Sequence, residues 1–168
     1  MKKQPILTLF CGLPGSGKTR IAKQIQVKTG AIRICTDDWL TDIHADLFDE
    51  KTREFLQQRL YLLAQELLYK GNDVILEDGL WSKQERDEKL ARGKSLGAIV
   101  SIHVFDLSRE ELWRRLKHRN ENLQYGQVPI TKDQLDSYLP MFEKPSPDEL
   151  NLFDQVQQYN NDRELVIT

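Results

Sequence analysis

Gly12-Leu13-Pro14-Gly15-Ser16-Gly17-Lys18-Thr19 is the stretch on which the chain turns. The apolar run Ile6-Leu7-Thr8-Leu9-Phe10-Cys11 precedes it, and Ile21-Ala22-Lys23-Gln24-Ile25 follows with apolar residues at helical spacing. A strand therefore runs into a glycine-rich turn and then a helix. In that setting G-x-x-x-x-G-K-[ST] forms a phosphate-binding loop, because successive backbone N–H groups and the helix N-terminus converge on an anion. Gly12, Gly15 and Gly17 allow the close approach that a side chain blocks, with Leu13, Pro14 and Ser16 completing the loop. Lys18 is placed to reach the β- and γ-phosphates, and the Thr19 hydroxyl to ligand Mg²⁺. The alternative is an ordinary glycine-rich strand-to-helix turn, which does not require the full spacing.

Length and composition frame this motif. The 168 residues suit a single domain spanning 1–168 with a normal core. A charged fraction of 30% beside an apolar fraction of 39% is that of a soluble globular chain. A net charge of −2 gives no general basic field for nucleic acid or an anionic membrane, so any such binding needs a local patch. Lys2 and Lys3 precede an apolar stretch, but Pro5 and Thr8 interrupt it and it runs straight into the phosphate loop, against a secretion signal. No run approaches the length of a membrane span. Cys11 and Cys35 lack metal-ligand spacing and read as reduced thiols in a cytoplasmic protein.

Beyond the loop, the first helix is expected from about Lys18 to Lys28, ending at Gly30. A second strand, Ala31 to Cys35, delivers Thr36-Asp37-Asp38-Trp39 to its C-terminal end. A polar segment leads to an amphipathic helix from about Thr52 to Lys70, with the stripe Phe55, Leu56, Leu60, Leu63 and Leu67 and a stop at Gly71-Asn72. The third strand, Asp73 to Leu76, ends in Glu77-Asp78-Gly79. Ser82-Lys83-Gln84-Glu85 has the pattern of a capping box and opens a helix that stops near Gly97. The fourth strand, Ala98 to Phe105, ends in Asp106, and Ser108-Arg109-Glu110-Glu111, a second capping-box pattern, opens the arginine-rich helix carrying Arg114, Arg115 and Arg119. An irregular stretch through Gly126 and Pro129 follows, Thr131 to Gln134 caps another helix to about Phe142, and Glu164 to Ile167 is expected as the last strand. Strands alternating with helices form a parallel α/β sheet, and its ligands sit beyond the carboxyl ends of the strands.

Gly12, Asp37, Asp38, Glu77, Asp78 and Asp106 fall at those ends, which sets up phosphoryl transfer. Asp37 leads as the group accepting a proton from an acceptor hydroxyl, with Asp38 its competitor and the capping of the next turn the simpler role. Asp78 is the candidate for holding Mg²⁺ through water or positioning the acceptor, and Glu77 is the alternate. A solvated turn carboxylate is the plain reading of either. Arg115 and Arg119, four apart on one helix face, are set to stack on a base and clamp the terminal phosphate when the segment closes as a lid. An ion pair between Glu111 and Arg115 on a solvated face is the bland alternative. His103 reads as a structural histidine, while Trp39 and Trp81 suit either the acceptor pocket or the core.

Thr8 to Thr19, Thr36-Asp37-Asp38-Trp39, and Val104-Phe105-Asp106 leading to Arg115 and Arg119 together resemble the small P-loop kinases. Within that group the chain looks most like the kinase domain of phage-type 5′-hydroxyl polynucleotide kinase and its bacterial ATP-binding relatives, with chloramphenicol phosphotransferase and zeta toxin more distant. The resemblance implies a P-loop NTPase three-layer sandwich: a five-stranded parallel sheet of order 2-3-1-4-5, helices on both faces and a helical lid at about 109–130. It also implies ATP with Mg²⁺ and transfer to a hydroxyl. Lys18 and Thr19 would take the phosphate and metal roles, Asp37 would be the general base, Arg119 would act on the terminal phosphate, and Arg115 would lie against the adenine. Those polynucleotide kinases carry an arginine three residues after the base, where this chain has Leu40. With the near-neutral charge, this turns the expectation toward a hydroxyl of a small-molecule or nucleotide-type acceptor. A 5′-hydroxyl polynucleotide kinase, a regulatory ATPase without an acceptor and a toxin acting on a sugar nucleotide stand as alternatives.

Overall fold

The computed structural model describes residues 4–160, and the expected strand Glu164 to Ile167 lies outside them. The elements in chain order are β1 (Ile6–Cys11), α1 (Lys18–Thr29), β2 (Ile32–Ile34), α2 (Thr36–Asp42), α3 (Glu50–Tyr69), β3 (Val74–Leu76), α4 (Lys83–Ser95), β4 (Ile99–Phe105), α5 (Arg109–Glu121), α6 (Lys132–Tyr138), α7 (Pro147–Leu150) and β5 (Gln155–Tyr159), with a 3-10 turn at Leu139–Met141 after α6. The five strands form one parallel sheet in the order β2-β3-β1-β4-β5.

Alternation along β1 splits the core in two. Leu7, Leu9 and Cys11 face Leu60, Ala64 and Leu68 of α3 and Leu90 of α4, whereas Phe10 faces Ile21 and Ala22 of α1. Helices thus cover both faces and the molecule is a three-layer sandwich. Gly93 lets α4 settle on the sheet: a Cβ there would stand 2.8 Å from Val100 Cγ2 and 3.0 Å from Leu7 Cδ2. On the α1 side His103 stacks between Phe10 and Tyr159, and its Nδ1 lies 2.6 Å from the Tyr159 hydroxyl, the satisfied structural role expected of it. Cys11 and Cys35 are free and buried.

Local signals place most helix ends. Gly30 closes α1 at φ 73°, donating its N–H to Gln26 O. Ser82 with Glu85 and Thr131 with Gln134 form complete capping boxes. Three elements differ from the sequence expectation. The fifth strand of the sheet is Gln155–Tyr159, an edge strand with one buried side chain, Tyr159, and so with little apolar pattern to announce it. Thr36–Asp42 is a short helix where the end of the second strand and the start of a polar segment are expected; Asp37 and Asp38 lie in its first turn, where carboxylates complement the helix dipole. Phe55 is 75% exposed, because the buried row of α3 runs through Leu60, Ala64 and Leu68 with Leu56, Leu63 and Leu67 beside it.

An ion pair between α4 and α7 is sealed in the interior. Arg86 on α4 is fully buried, binds Glu149 of α7 through Nε at 2.5 Å and Nη2 at 3.2 Å, and donates from Nη1 to the carbonyls of Leu80 and Trp81, each at 3.1 Å. Among the described residues no helix is long and apolar enough to cross a membrane.

Candidate active site

The loop between β1 and α1 is built by two left-handed glycines, Gly15 at φ 81° and Gly17 at φ 102°. Gly12 anchors its first turn by donating its N–H to Gly79 O at 3.0 Å and accepting from Trp81 Nε1 at 3.2 Å. Lys18 Nζ folds back onto Gly12 O at 2.9 Å and Leu13 O at 2.8 Å. Desolvation pushes its ammonium down to about 8, against the opposing pull of Glu77 and Asp37. Ser16 Oγ is buried without a partner. A concave loop with an orphaned hydroxyl and a lysine bound only to its own carbonyls fits a polyphosphate.

Behind the loop, the Thr19 hydroxyl donates to Glu77 Oε1 at 2.5 Å. Arg33 on β2 donates from Nε to Glu77 Oε2 at 2.5 Å and from Nη1 to Asp38 Oδ2 at 2.6 Å, while its Nη2 is buried without a partner. Asp78 instead accepts from Thr36 Oγ1 at 2.9 Å and Gln57 Nε2 at 3.4 Å, and burial raises its carboxyl. Of the two carboxylates ending β3, Glu77 is therefore the one joined to Thr19. The hydroxyl and carboxylate are hard oxygen donors of the kind Mg²⁺ takes alongside phosphate oxygens and water. No cluster of three or more His, Cys, Asp or Glu suited to a metal occurs among the described residues.

Asp37 stands on the other wall. Its Oδ1 accepts from Arg53 Nη1 of α3 at 2.6 Å, and Arg53 Nη2 donates to Leu47 O at 2.7 Å. The charge of Asp37 acts on Lys18, on Arg119 and on Asp78, which puts these groups around one cleft.

The arginine-bearing helix α5 lies across the loop. Leu112 and Leu116 are buried with Leu13, and a Cβ on Gly15 would meet Leu116 Cγ at 2.7 Å. Arg115 pairs with Glu111 at 2.6 Å, as the bland alternative has it, and also donates from Nη1 to Ser16 O at 3.3 Å. Arg119 donates to Val128 O at 3.2 Å and keeps Nε buried without a partner; burial lowers its pKa and Asp37 draws it back up. Gly126 brings the lid tip onto α2, where a Cβ would stand 2.8 Å from Asp38 Oδ1, and the Tyr125 hydroxyl donates to Asp42.

Lys18, Thr19, Asp37, Arg115 and Arg119 are thus brought together around the loop, with Asp78 one step back. Sequence reasoning alone does not single out Arg33, Arg53, Gln57 or the Trp81 N–H. Arg33, a charge between Ile32 and Ile34 in a short apolar strand, carries a signal; Arg53 and Gln57 sit among other polar residues of a long helix and carry none.

A phosphate loop heading α1, a hydroxyl–carboxylate pair behind it and an arginine-bearing lid above it define a kinase-like P-loop NTPase. The chain belongs to the family described as AAA domain, which matches residues 7–145. It is 28% identical over 121 residues to the adenylate kinase isoenzyme 6 homolog of Schizosaccharomyces pombe, using 69% of this chain and spanning 62% of that relative. A chain of the Pnkp1/Rnl/Hen1 RNA repair complex is similar at TM-score 0.70 and 25% identity, over 89% of this chain and 50% of its own. The APS kinase CysC of Mycobacterium tuberculosis, solved with AMPPNP and APS, shares the fold at TM-score 0.62 and 19% identity, over 96% of this chain and 70% of its own.

Proposed function

We propose that this protein is an ATP-dependent phosphotransferase that moves the γ-phosphoryl group to a hydroxyl of a small-molecule acceptor. The observation that supports it most is the position of Asp37, a half-exposed carboxylate whose charge acts on both Lys18 and Arg119. Asp37 accepts the proton of the acceptor hydroxyl, while Lys18 and Arg119 stabilise charge on the transferring group. Arg115 holds the nucleotide from the lid, and the lid keeps water out. Thr19 and Glu77 are the residues that would hold Mg²⁺, which offsets phosphate charge when bound with the nucleotide. The two buried free thiols fit a cytoplasmic setting.

The likeness to the RNA repair chain brings a 5′-hydroxyl oligonucleotide into the test, although Leu40, where the resemblance implies an arginine, is fully buried. Purified protein is incubated with γ-labelled ATP, Mg²⁺, a panel of hydroxyl compounds and that oligonucleotide. Label is expected on a small acceptor, falling by about 100-fold or more in Asp37→Asn, the scale of a lost general base. Arg119→Ala is expected to lower turnover far more than nucleotide affinity. Nucleotide binding with no transfer to any acceptor would shift the reading to a regulatory ATPase.

A further inference from the structure

The acceptor side of the cleft is lined by one face of α3. Arg53 and Gln57 are four apart and therefore neighbours on that face, and each holds a different carboxylate: Arg53 holds Asp37 at 2.6 Å and Gln57 holds Asp78 at 3.4 Å. The wall thus carries two donor–acceptor pairs side by side, a guanidinium with one carboxylate and an amide with the other. The Asp37–Arg53 end of the wall is open to a solute, since the side chains of these two residues are 47% and 30% exposed.

We infer that the acceptor is a neutral polyhydroxyl compound, read by Arg53 and Gln57 together with Asp37 and Asp78; the inference rests on the phosphotransferase reading for which hydroxyl reacts. An alcohol hydroxyl donates one hydrogen bond and accepts others, so neighbouring hydroxyls can use both members of each donor–carboxylate pair. A phosphate or carboxylate only accepts, and here it would meet Asp37 and Asp78 with Arg53 already engaged by Asp37 and the Leu47 carbonyl. The reacting hydroxyl oxygen bonds to the γ-phosphorus as the bond from that phosphorus to the β–γ bridging oxygen breaks. Its proton passes to Asp37 and ADP leaves, while Arg53 and Gln57 hold the adjacent hydroxyls in place.

The test pairs binding with transfer. Ligand-detected NMR with full-length protein, Mg²⁺ and a non-hydrolysable ATP analogue compares neutral sugars, sugar alcohols and inositols with the monophosphates and carboxylates of the same skeletons. Labelled ATP then measures transfer to each. A neutral polyol is expected to bind and to take the label, and Gln57→Leu to raise its KM about tenfold with the nucleotide KM unchanged, the size of one lost hydrogen bond. Arg53→Met should raise the acceptor KM at least as much, with Arg53→Lys restoring part of it, and thermal melts check that each variant folds. Preference for the anionic counterparts, no binding by any neutral polyol, or an acceptor KM indifferent to Gln57 and Arg53 overturns the inference even if label is transferred elsewhere. Polyol binding that depends on Gln57 but gives no labelled product upholds the binding site and overturns the phosphotransferase reading.

Discussion

Trp81 and Lys18 hold the same oxygen. The indole N–H of Trp81 reaches Gly12 O at 3.2 Å and Lys18 Nζ reaches it at 2.9 Å, so the first carbonyl of the phosphate loop has one fixed donor and one that a phosphate can draw away. When Lys18 turns to a nucleotide, Trp81 keeps Gly12 satisfied and the loop in shape. Trp81→Phe keeps the ring against Tyr138, 5.2 Å away, and removes only the N–H. Nucleotide affinity is expected to fall about three- to tenfold, matching one neutral hydrogen bond, with the melting temperature little changed. Titration with a fluorescent nucleotide measures the first and calorimetry the second.

Lys18 carries a pH signature. Its folded pKa, about 8, lies below the ordinary 10.5, so the cost of its desolvated charge is full below about pH 8 and is relieved as pH rises to 10.5. The nucleotide-free protein therefore gains stability from this group through that window. Bound polyphosphate favours the ammonium, so nucleotide binding between pH 8 and 9 is expected to take up a fraction of a proton. Isothermal titration in buffers of different ionisation enthalpy reads this uptake directly, and Lys18→Met should abolish it.

Two left-handed glycines separate local strain from site packing. A Cβ on Gly30, at φ 73°, would have nothing within 4 Å, so Gly30→Ala is expected to cost only about 1 kcal/mol of backbone strain and to leave nucleotide binding intact. Gly15 at φ 81° would meet Leu116 Cγ at 2.7 Å, so Gly15→Ala should cost clearly more and push the lid off the loop. Urea unfolding and nucleotide titration of both variants give the comparison.

His103 makes the fold acid-sensitive. Burial lowers its pKa from 6.5 to about 4, so the unfolded chain binds the proton first as pH falls. Stability that is whole above pH 6.5 is lost toward pH 4, by at most about 3 kcal/mol for the full shift. His103→Gln lacks the titrating ring, and its melting temperature is expected to fall less steeply than that of the wild type across this window.

Motifs that act within a few residues are legible in the sequence. The loop from Gly12 to Thr19, the helix caps at Ser82, Ser108 and Thr131 and the stop at Gly30 each encode their own geometry. Gln155–Tyr159 is not legible, because its place beside β4 is fixed by backbone pairing more than by an apolar pattern of its own. The pairing of Thr19 with Glu77 rather than Asp78 depends on which way β3 turns its last side chains, and the hold of Arg53 on Asp37 on how α3 docks. Neither is a property of neighbours in sequence.

The bond between Arg86 and Glu149 sets the smallest piece of this chain able to keep its loop. Any fragment ending ahead of Ser146 would retain every residue of the cleft, yet strand a guanidinium in the interior without its counter-charge, a loss of about 3–5 kcal/mol. The same guanidinium holds the carbonyls of Leu80 and Trp81, so the damage would travel through Trp81 to Gly12. Expression boundaries drawn around the phosphate loop and the arginine-bearing helix alone would cut inside the folding unit.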